Sequence, residues 1–170
     1  MEKKELELYI HIPFCVRKCN YCDFLSFPAD EDTQRQYVKA LCKEIFYYGA
    51  HCRDYVVSTV YIGGGTPSWL WESDMAEIMD AVHKNFALLP DAEVSVECNP
   101  GTVTAQKFAV YRQSGINRIS LGLQSAQNVE LKMLGRIHTW EQFLKTYELA
   151  RAGGFSNINV DLMSSLPGQH

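Results

Sequence analysis

Three cysteines stand close together near the start of this sequence, in a C-x3-C-x2-C run at Cys15, Cys19 and Cys22. Three thiolates on one loop can hold three irons of a 4Fe–4S cube, whereas a cluster that serves only electron transfer normally takes four cysteines. No further cysteine occurs within the next fifteen residues of the sequence. The spacing therefore predicts a cluster with one open iron, at which a small molecule can bind and be reduced.

Two other uses of these cysteines remain open. They could form half of a zinc site that His11 or a distant ligand completes, although zinc sites more often pair their cysteines as C-x2-C. They could also form a disulfide, but the sequence begins with the charged segment MEKKE and has no apolar signal segment there. We therefore expect a cytoplasmic protein with reduced thiols. The remaining cysteines, expected to be buried free thiols, are Cys42, Cys52 and Cys98.

The composition is that of an ordinary globular domain, with 46% hydrophobic and 21% charged residues among 170. The net charge is −4 and no basic run stands out, so nucleic acid is not an expected partner. No apolar stretch is long enough to span a membrane.

Strand-like and helix-like segments alternate along the chain. Ser73 is a candidate N-cap, Thr139 and Gln142 match a capping box, and Gly49 and Gly115 are candidate helix ends. This alternation predicts an α/β fold with a parallel sheet and outer helices. The predicted strands cover 6–12, 56–62, 93–98, 118–123 and 157–163, and the predicted helices 33–48, 73–86, 104–113 and 139–153.

Every predicted strand leads to a polar or cluster-binding feature at its carboxyl end, which is the edge where parallel α/β folds bind ligands. The first strand leads into the cysteine loop and the second into the glycine-rich segment Gly63-Gly-Gly-Thr-Pro67. Glu97, Gln124 and Asp161 lie at the ends of the third, fourth and fifth strands. This pattern predicts a single site at the mouth of the sheet.

The segment YIHIPFCVRKCNYCDF, from Tyr9 to Phe24, resembles the cluster loop of the radical S-adenosylmethionine (SAM) family. It is most similar to the branch of the heme chaperone HemW and the oxygen-independent coproporphyrinogen III oxidase HemN. The resemblance implies that SAM chelates the open iron through its amino and carboxylate groups. It also implies that an electron from the cluster splits SAM into methionine and a 5′-deoxyadenosyl radical.

The resemblance extends over essentially the whole chain and implies a role for each matching residue. From the residues alone, Glu97 and Arg136 could instead form surface ion pairs, Gln124 could end a strand, and Tyr9 could be a core residue. Asp161 lies in an apolar segment, where a carboxylate needs a partner. The implied roles are cluster ligands for Cys15, Cys19 and Cys22, aromatic contacts for Tyr9 and Tyr21, glycine-loop contacts for Gly64, Gly65 and Thr66, and SAM contacts for Glu97, Gln124, Arg136 and Asp161.

Two functions follow from the resemblance. The oxidase pattern has a further cysteine two residues after the third, and here that position is Phe24. With the segments ECNPG at 97–101 and LGRIH at 134–138, this implies the HemW branch, a carrier that binds heme for respiratory proteins. The alternative is a radical enzyme that oxidatively decarboxylates coproporphyrinogen III. The expected partners are SAM, heme or a porphyrinogen, an electron donor and a heme-accepting protein, with His11 and His138 as candidate heme ligands.

The fold that the resemblance implies is a partial (β/α) barrel of the radical SAM type, which has six strands. Five are predicted here, and the sequence stops at 166–170, in the loop after the fifth. We therefore expect residues 1–170 to be a radical SAM core domain truncated before the last barrel unit and the C-terminal region.

Overall fold

Five parallel strands form one sheet, in the order in which they occur along the chain. The computed structural model describes residues 4–169; residues 1–3 of the charged start and His170 of the predicted last loop lie outside the described residues. Helices link successive strands, which confirms the predicted α/β alternation. The elements are β1 (Lys4–Ile12), α1 (Glu31–His51), β2 (Tyr55–Gly64), a short 3-10 helix (Pro67–Trp69), α2 (Glu72–Asn85), β3 (Leu88–Cys98), α3 (Ala105–Gln113), β4 (Arg118–Gln124), α4 (Asn128–Met133), α5 (Trp140–Ala152) and β5 (Asn157–Leu162).

The two faces of the sheet differ in character, because successive residues of a strand point to opposite faces. On β4, Ile119, Leu121 and Leu123 belong to the hydrophobic core between the sheet and the helices. Ser120 and Gly122 alternate with them and face the other side. We call that side the polar face; its residues include Tyr61, Ser95, Glu97, Ser120 and Asp161.

The predicted capping box is confirmed, and a second side-chain cap occurs at the helix start predicted at Thr104. The Thr104 hydroxyl accepts a hydrogen bond from the backbone N–H of Lys107 at the start of α3. Thr139 and Gln142 form the complete capping box at the start of α5. None of the helices within residues 4–169, including the 21-residue α1, is long and apolar enough to cross a membrane.

Two predicted helix boundaries were wrong. Helix α1 continues past Gly49 to His51, and α2 begins at Glu72 after Trp71 as its N-cap, so Ser73 lies inside the helix. Gly49 is buried, and a Cβ atom there would lie 2.6 Å from the Cβ and from the carbonyl oxygen of Asn85, at the end of α2. The glycine is therefore required by the close approach of two helices and not by a helix end.

Replacing Gly49 by alanine is expected to destabilise the protein by up to about 2 kcal/mol. Alanine favours the helix by about 1 kcal/mol over glycine, but overpacking a tight contact costs about 1–3 kcal/mol, and half of this contact is rigid backbone. Denaturant unfolding measures the change, with the exposed Lys43→Ala on the same helix as the control, expected within about 0.5 kcal/mol of the parent. A stabilised Gly49→Ala variant would contradict the described packing of α1 on α2.

Two further elements differ from the predictions. Strand β3 begins at Leu88, five residues before the predicted start at 93, and it contains Pro90. Its pairing with β2 shifts register between Val57 and Thr59, which accommodates the proline because a bulge needs no ladder hydrogen bond there. Helix α4 was not predicted, since its six residues are too few to show a helical period.

Candidate cofactor-binding site

The cysteine loop is closed at its base by the chain itself. An isolated bridge pairs Phe14 with Phe27: the Cys15 N–H donates to the Phe27 carbonyl at 3.1 Å and the Phe27 N–H to the Pro13 carbonyl at 2.9 Å. The rings of Phe14 and Phe27 also pack edge to face at 5.7 Å. These contacts hold the loop with all three cysteines at the carboxyl end of β1.

A second anchor joins the cysteine loop to the turn after α4. Asn20 donates through its backbone N–H to the Leu134 carbonyl at 3.0 Å and through its side chain to the Met133 carbonyl at 2.9 Å. The Arg17 guanidinium donates to the Gly135 carbonyl at 2.6 Å. The turn therefore brings Arg136, the next residue, beside the cysteines.

A cleft of about 670 Å³, including its open part, lies between this loop and the carboxyl ends of the strands. All but one of the residues proposed as cluster or SAM contacts line it. Those residues are Cys15, Cys19, Cys22, Tyr21, Gly64, Gly65, Thr66, Glu97, Gln124, Arg136 and Asp161.

Tyr9 is the exception, because it does not line the cleft. Its ring is 61% exposed, lies 6.3 Å from the ring of Tyr61, and carries a hydroxyl 3.0 Å from Nδ1 of His11. Tyr9 pairs with Tyr61 in the sheet. The next pair on the same face, His11 with Gly63, lies closer to the carboxyl end. The structure thus places Tyr9 on the polar face, below the cleft.

The glycine-rich loop packs directly on the cysteine segment. The N–H groups of Gly65 and Thr66 donate to the carbonyls of Ile12 and Phe14 at 2.8 and 2.7 Å. A Cβ atom at Gly65 would lie 2.7 Å from the Phe14 carbonyl oxygen and 3.0 Å from the Cys15 sulfur. The glycines were expected to admit a ligand; the structure shows that Gly65 also admits the cysteine loop.

Glu97 is a half-buried carboxylate fixed by two donors. The Tyr61 hydroxyl donates to Oε1 at 2.9 Å and the Gly64 N–H donates to Oε2 at 3.0 Å. Burial raises the pKa of Glu97, while these two hydrogen bonds oppose the rise. Burial, with the negative charge of Glu97, also raises the pKa of Tyr61, so this hydroxyl stays a donor. Glu97 is therefore an oriented acceptor and not a surface ion pair.

Asp161 has the polar partners that a carboxylate in an apolar segment was expected to need. The Asn159 side chain donates to Oδ1 at 2.7 Å, and the Ser120 hydroxyl lies 3.3 Å from both carboxylate oxygens. The reason is the alternation of β5, which puts Asp161 on the polar face although its sequence neighbours are apolar.

Arg136 is held by several hydrogen bonds and Gln124 has an unusual backbone conformation. Within residues 4–169, each side chain has a buried polar atom without a hydrogen-bond partner. Arg136 donates through Nη2 to Asn99 Oδ1 and to the Gly122 carbonyl, both at 2.8 Å, and Nη1 lies 3.4 Å from the Tyr21 hydroxyl. Gln124 is buried and has a φ of 67°, a strained value for a residue with a side chain. Among the residues that the structure describes, Arg136 Nε and Gln124 Oε1 are buried without a hydrogen-bond partner.

The two histidines proposed as heme ligands do not line the cleft. His11 is engaged, with Nδ1 near the Tyr9 hydroxyl and Nε2 3.0 Å from the Leu25 carbonyl. His138 is buried, and burial together with the nearby Arg136 charge lowers its pKa to about 4. Neither side chain is presented to a ligand in the cleft.

Several cleft residues were missed by the sequence analysis. Asn99, Ser120 and Gly122 line it beside the predicted residues. Asn99 directly follows β3, so its position at a strand end could have predicted its place in the cleft. Ser120 and Gly122 could have been found from the alternation of β4.

The residues around the cleft fit a ligand that carries both positive and negative charges. In the described part of the chain, Arg136 Nε and Gln124 Oε1 lack the hydrogen-bond partners that buried polar atoms normally have, and both residues line the cleft. The three thiols border the same cleft, but within residues 4–169 no three His, Cys, Asp or Glu side chains converge as a ready metal-binding group. Binding of an iron cluster would require the cysteine side chains to turn toward a common centre.

Comparison with known proteins agrees with this site. The model of the radical SAM superfamily matches residues 9–170. The chain is 43% identical over 165 residues to the heme chaperone HemW of Escherichia coli (strain K12), covering 96% of this chain and 44% of that protein. It is 37% identical over 164 residues to HemW of Bacillus subtilis (strain 168), covering 95% and 43%. The chain thus spans less than half the length of these curated relatives.

A solved structure has the same fold. That of E. coli coproporphyrinogen III oxidase (HemN), described as a radical SAM enzyme, superposes with a TM-score of 0.90 at 31% sequence identity. The match covers 98% of this chain and 39% of that one. The expected radical SAM type of barrel is thereby confirmed.

Proposed function

Because the chain belongs to the radical SAM superfamily, which implies a 4Fe–4S cluster and SAM, we propose that the cleft at the carboxyl ends of the strands holds both. Cys15, Cys19 and Cys22 would ligate three irons, leaving the fourth for SAM. When bound, the cluster supplies the electron that cleaves SAM reductively. The placement of all three cysteines on one closed loop supports this assignment.

The charged residues of the cleft complement the charges of SAM. Its ammonium and sulfonium groups need carboxylates, which Glu97 and Asp161 provide. Its carboxylate needs a guanidinium, and Arg136 has an unpartnered Nε for it. A cation beside Glu97 would keep this carboxyl ionised against the rise in pKa caused by burial.

The uncharged residues would shape the pocket. Gly64 and Gly65 present main-chain groups without a Cβ atom, and Gly64 has a φ of +118°, which favours glycine. Gln124 would offer its free amide oxygen to a hydroxyl or amino group of SAM. Tyr21, beside Arg136 at the cleft edge, would cover the bound ligand.

For the whole protein we propose a heme chaperone, which binds heme and transfers it to respiratory proteins. The observation that carries this proposal is the 43% identity to HemW of E. coli over almost the entire chain. Phe24 agrees with it, because this residue lines the cleft where the oxidase pattern has a cysteine. A phenyl ring provides an apolar surface but no thiol chemistry.

The alternative is an oxygen-independent coproporphyrinogen III oxidase. The observation in its favour is the TM-score of 0.90 against HemN, which shows that the backbone around the cleft resembles that of an oxidase. The two functions share the cluster and SAM, so only the fate of the porphyrin separates them.

A test compares the reconstituted full-length protein with its Phe24→Cys variant. We expect the parent to bind heme stoichiometrically and to form no protoporphyrinogen from coproporphyrinogen with SAM and a reductant. The expectation follows from the missing thiol beside the cluster. Heme binding is measured by absorbance titration and the product by chromatography. Formation of protoporphyrinogen by the parent would show that the protein is an oxidase and not a heme carrier.

The neighbouring Leu25→Cys variant is the matched control. Leu25 is 78% exposed and does not line the cleft, so it introduces a thiol into the same loop outside the site. If Phe24→Cys gains turnover and Leu25→Cys does not, the position of the thiol decides the reaction.

A further inference from the structure

The side chain of Asn99 lies at the centre of a hydrogen-bond network that joins two parts of the cleft. We propose that Asn99 is a positioning residue, which orients Arg136 for the carboxylate of SAM and orients Thr66 toward the Cys15 sulfur. The inference rests on the proposed function, because it needs a cluster and SAM in this cleft. Asn99 would act on SAM binding through Arg136 and on the cluster through Thr66.

The amide of Asn99 bridges an arginine and a threonine. Oδ1 accepts from Arg136 Nη2 at 2.8 Å, and Nδ2 donates to the Thr66 hydroxyl oxygen at 2.9 Å. The Thr66 hydroxyl in turn donates toward the Cys15 sulfur at 3.4 Å. On the other side, the Arg136 guanidinium reaches the Cys19 sulfur at 3.9 Å. One amide thus connects groups that contact two of the three thiols.

Asn99 is itself held in place by its backbone. Its N–H donates to the Ser68 hydroxyl at 3.0 Å, and its carbonyl accepts from the Thr102 hydroxyl at 2.7 Å. The buried Lys107 ammonium then joins the two loops by donating to the carbonyls of Ser68 and Thr102 at 2.9 and 3.0 Å. The amide therefore has little freedom to move away from its partners.

The amide of Asn99 satisfies both partners, whereas a carboxylate or an aliphatic side chain does not. The guanidinium needs an acceptor, and Thr66, whose proton is directed to Cys15, needs a donor. Aspartate would keep the bond to Arg136 but has no N–H for Thr66. The Thr66 hydroxyl would then turn to the new carboxylate and leave the sulfur. Two separate consequences follow, one for SAM affinity and one for the cluster potential, which depends on hydrogen bonds to the sulfurs.

A double-mutant cycle tests the first consequence in the reconstituted protein. Asn99→Ala should weaken SAM binding about 5- to 20-fold, since a charge-assisted hydrogen bond that orients the ligand partner is lost. On an Arg136→Ala background, the same substitution should change the affinity by less than about twofold, because the residue through which it acts is gone. The dissociation constant is measured by calorimetry, and iron content is measured on every sample.

The second variant, Asn99→Asp, separates the two halves of the network. SAM affinity should stay within about threefold of the parent because the acceptor for Arg136 is kept. The cluster midpoint potential should fall, since a sulfur loses a donor and a negative charge is added. Thr66→Val, which loses the same donor without adding charge, should shift the potential in the same direction.

Asn117→Ala is the matched control. Asn117 also makes two side-chain hydrogen bonds to the backbone of the β3 region, with Val94 N–H and the Ala92 carbonyl, but it does not line the cleft. It should lower thermal stability and leave SAM affinity and potential unchanged. Additive losses in the Asn99 and Arg136 cycle, or an unchanged affinity in Asn99→Ala, would overturn the inference while leaving the proposed function intact. A parent protein that binds neither iron nor SAM would overturn both.

Discussion

Replacing Cys15, Cys19 or Cys22 by alanine, one at a time, is expected to remove most of the iron from the reconstituted protein. The parent should carry about four irons per chain and show a broad charge-transfer band that dithionite bleaches. Each substitution removes one of the three proposed protein ligands, and two thiolates are too few to retain the cube. Iron and sulfide analysis after anaerobic reconstitution measures the loss.

The other cysteines of the chain are the controls for this prediction. Cys42→Ala, Cys52→Ala and Cys98→Ala should retain iron like the parent. Cys98 is the sharpest control because it also borders the cleft, yet burial raises the pKa of its thiol to about 12. Loss of iron from Cys98→Ala would indicate a fourth ligand and a closed cluster. Stoichiometric zinc in place of iron would contradict the cluster altogether.

Replacing Arg136 by alanine is expected to give the largest loss of SAM affinity with iron content near normal. A lost charge-assisted contact at a partly buried site costs about 1.5–3 kcal/mol, which corresponds to a dissociation constant about 10- to 150-fold higher. Glu97→Ala, Gln124→Ala and Asp161→Ala should weaken binding in the same direction. The change that SAM causes in the electron paramagnetic resonance spectrum of the reduced cluster reports the binding.

Arg118→Ala provides the comparison for the arginine. Arg118 begins β4 and contacts Ser95 and Glu93 on the polar face, but it does not line the cleft. It should therefore leave SAM binding unchanged. If the four cleft variants all bind SAM as the parent does, the assignment of the strand-end residues is wrong.

The features predicted correctly from the sequence are those that local chemistry decides. The capping box of Thr139 and Gln142 bonds within a single turn, and the five strands were recognisable from short strand-like runs. The gathering of Glu97, Gln124 and Asp161 at one edge followed from the parallel topology alone. None of these inferences requires knowledge of a distant contact.

The features that were missed depend on residues far apart in sequence. Gly49 has its role because Asn85 lies against it, and no pattern within α1 contains that information. Tyr9 was assigned to the site from the family resemblance, but its distance from the carboxyl end of the sheet depends on its register with Tyr61. Asn99 needed the positions of Arg136 and Thr66, which come from two other loops.

The division of the sheet into an apolar and a polar face has a consequence for how such a chain can change over generations. A point substitution at Ser120 or Asp161 changes a side chain on the polar face, whereas Leu121 packs into the core on the opposite face. Insertion or deletion of one residue within β4 instead exchanges the faces of every residue that follows in the strand, which exposes the core and blocks the cleft together. Descendants of this chain should therefore differ in residue identity along the strands while keeping strand lengths constant.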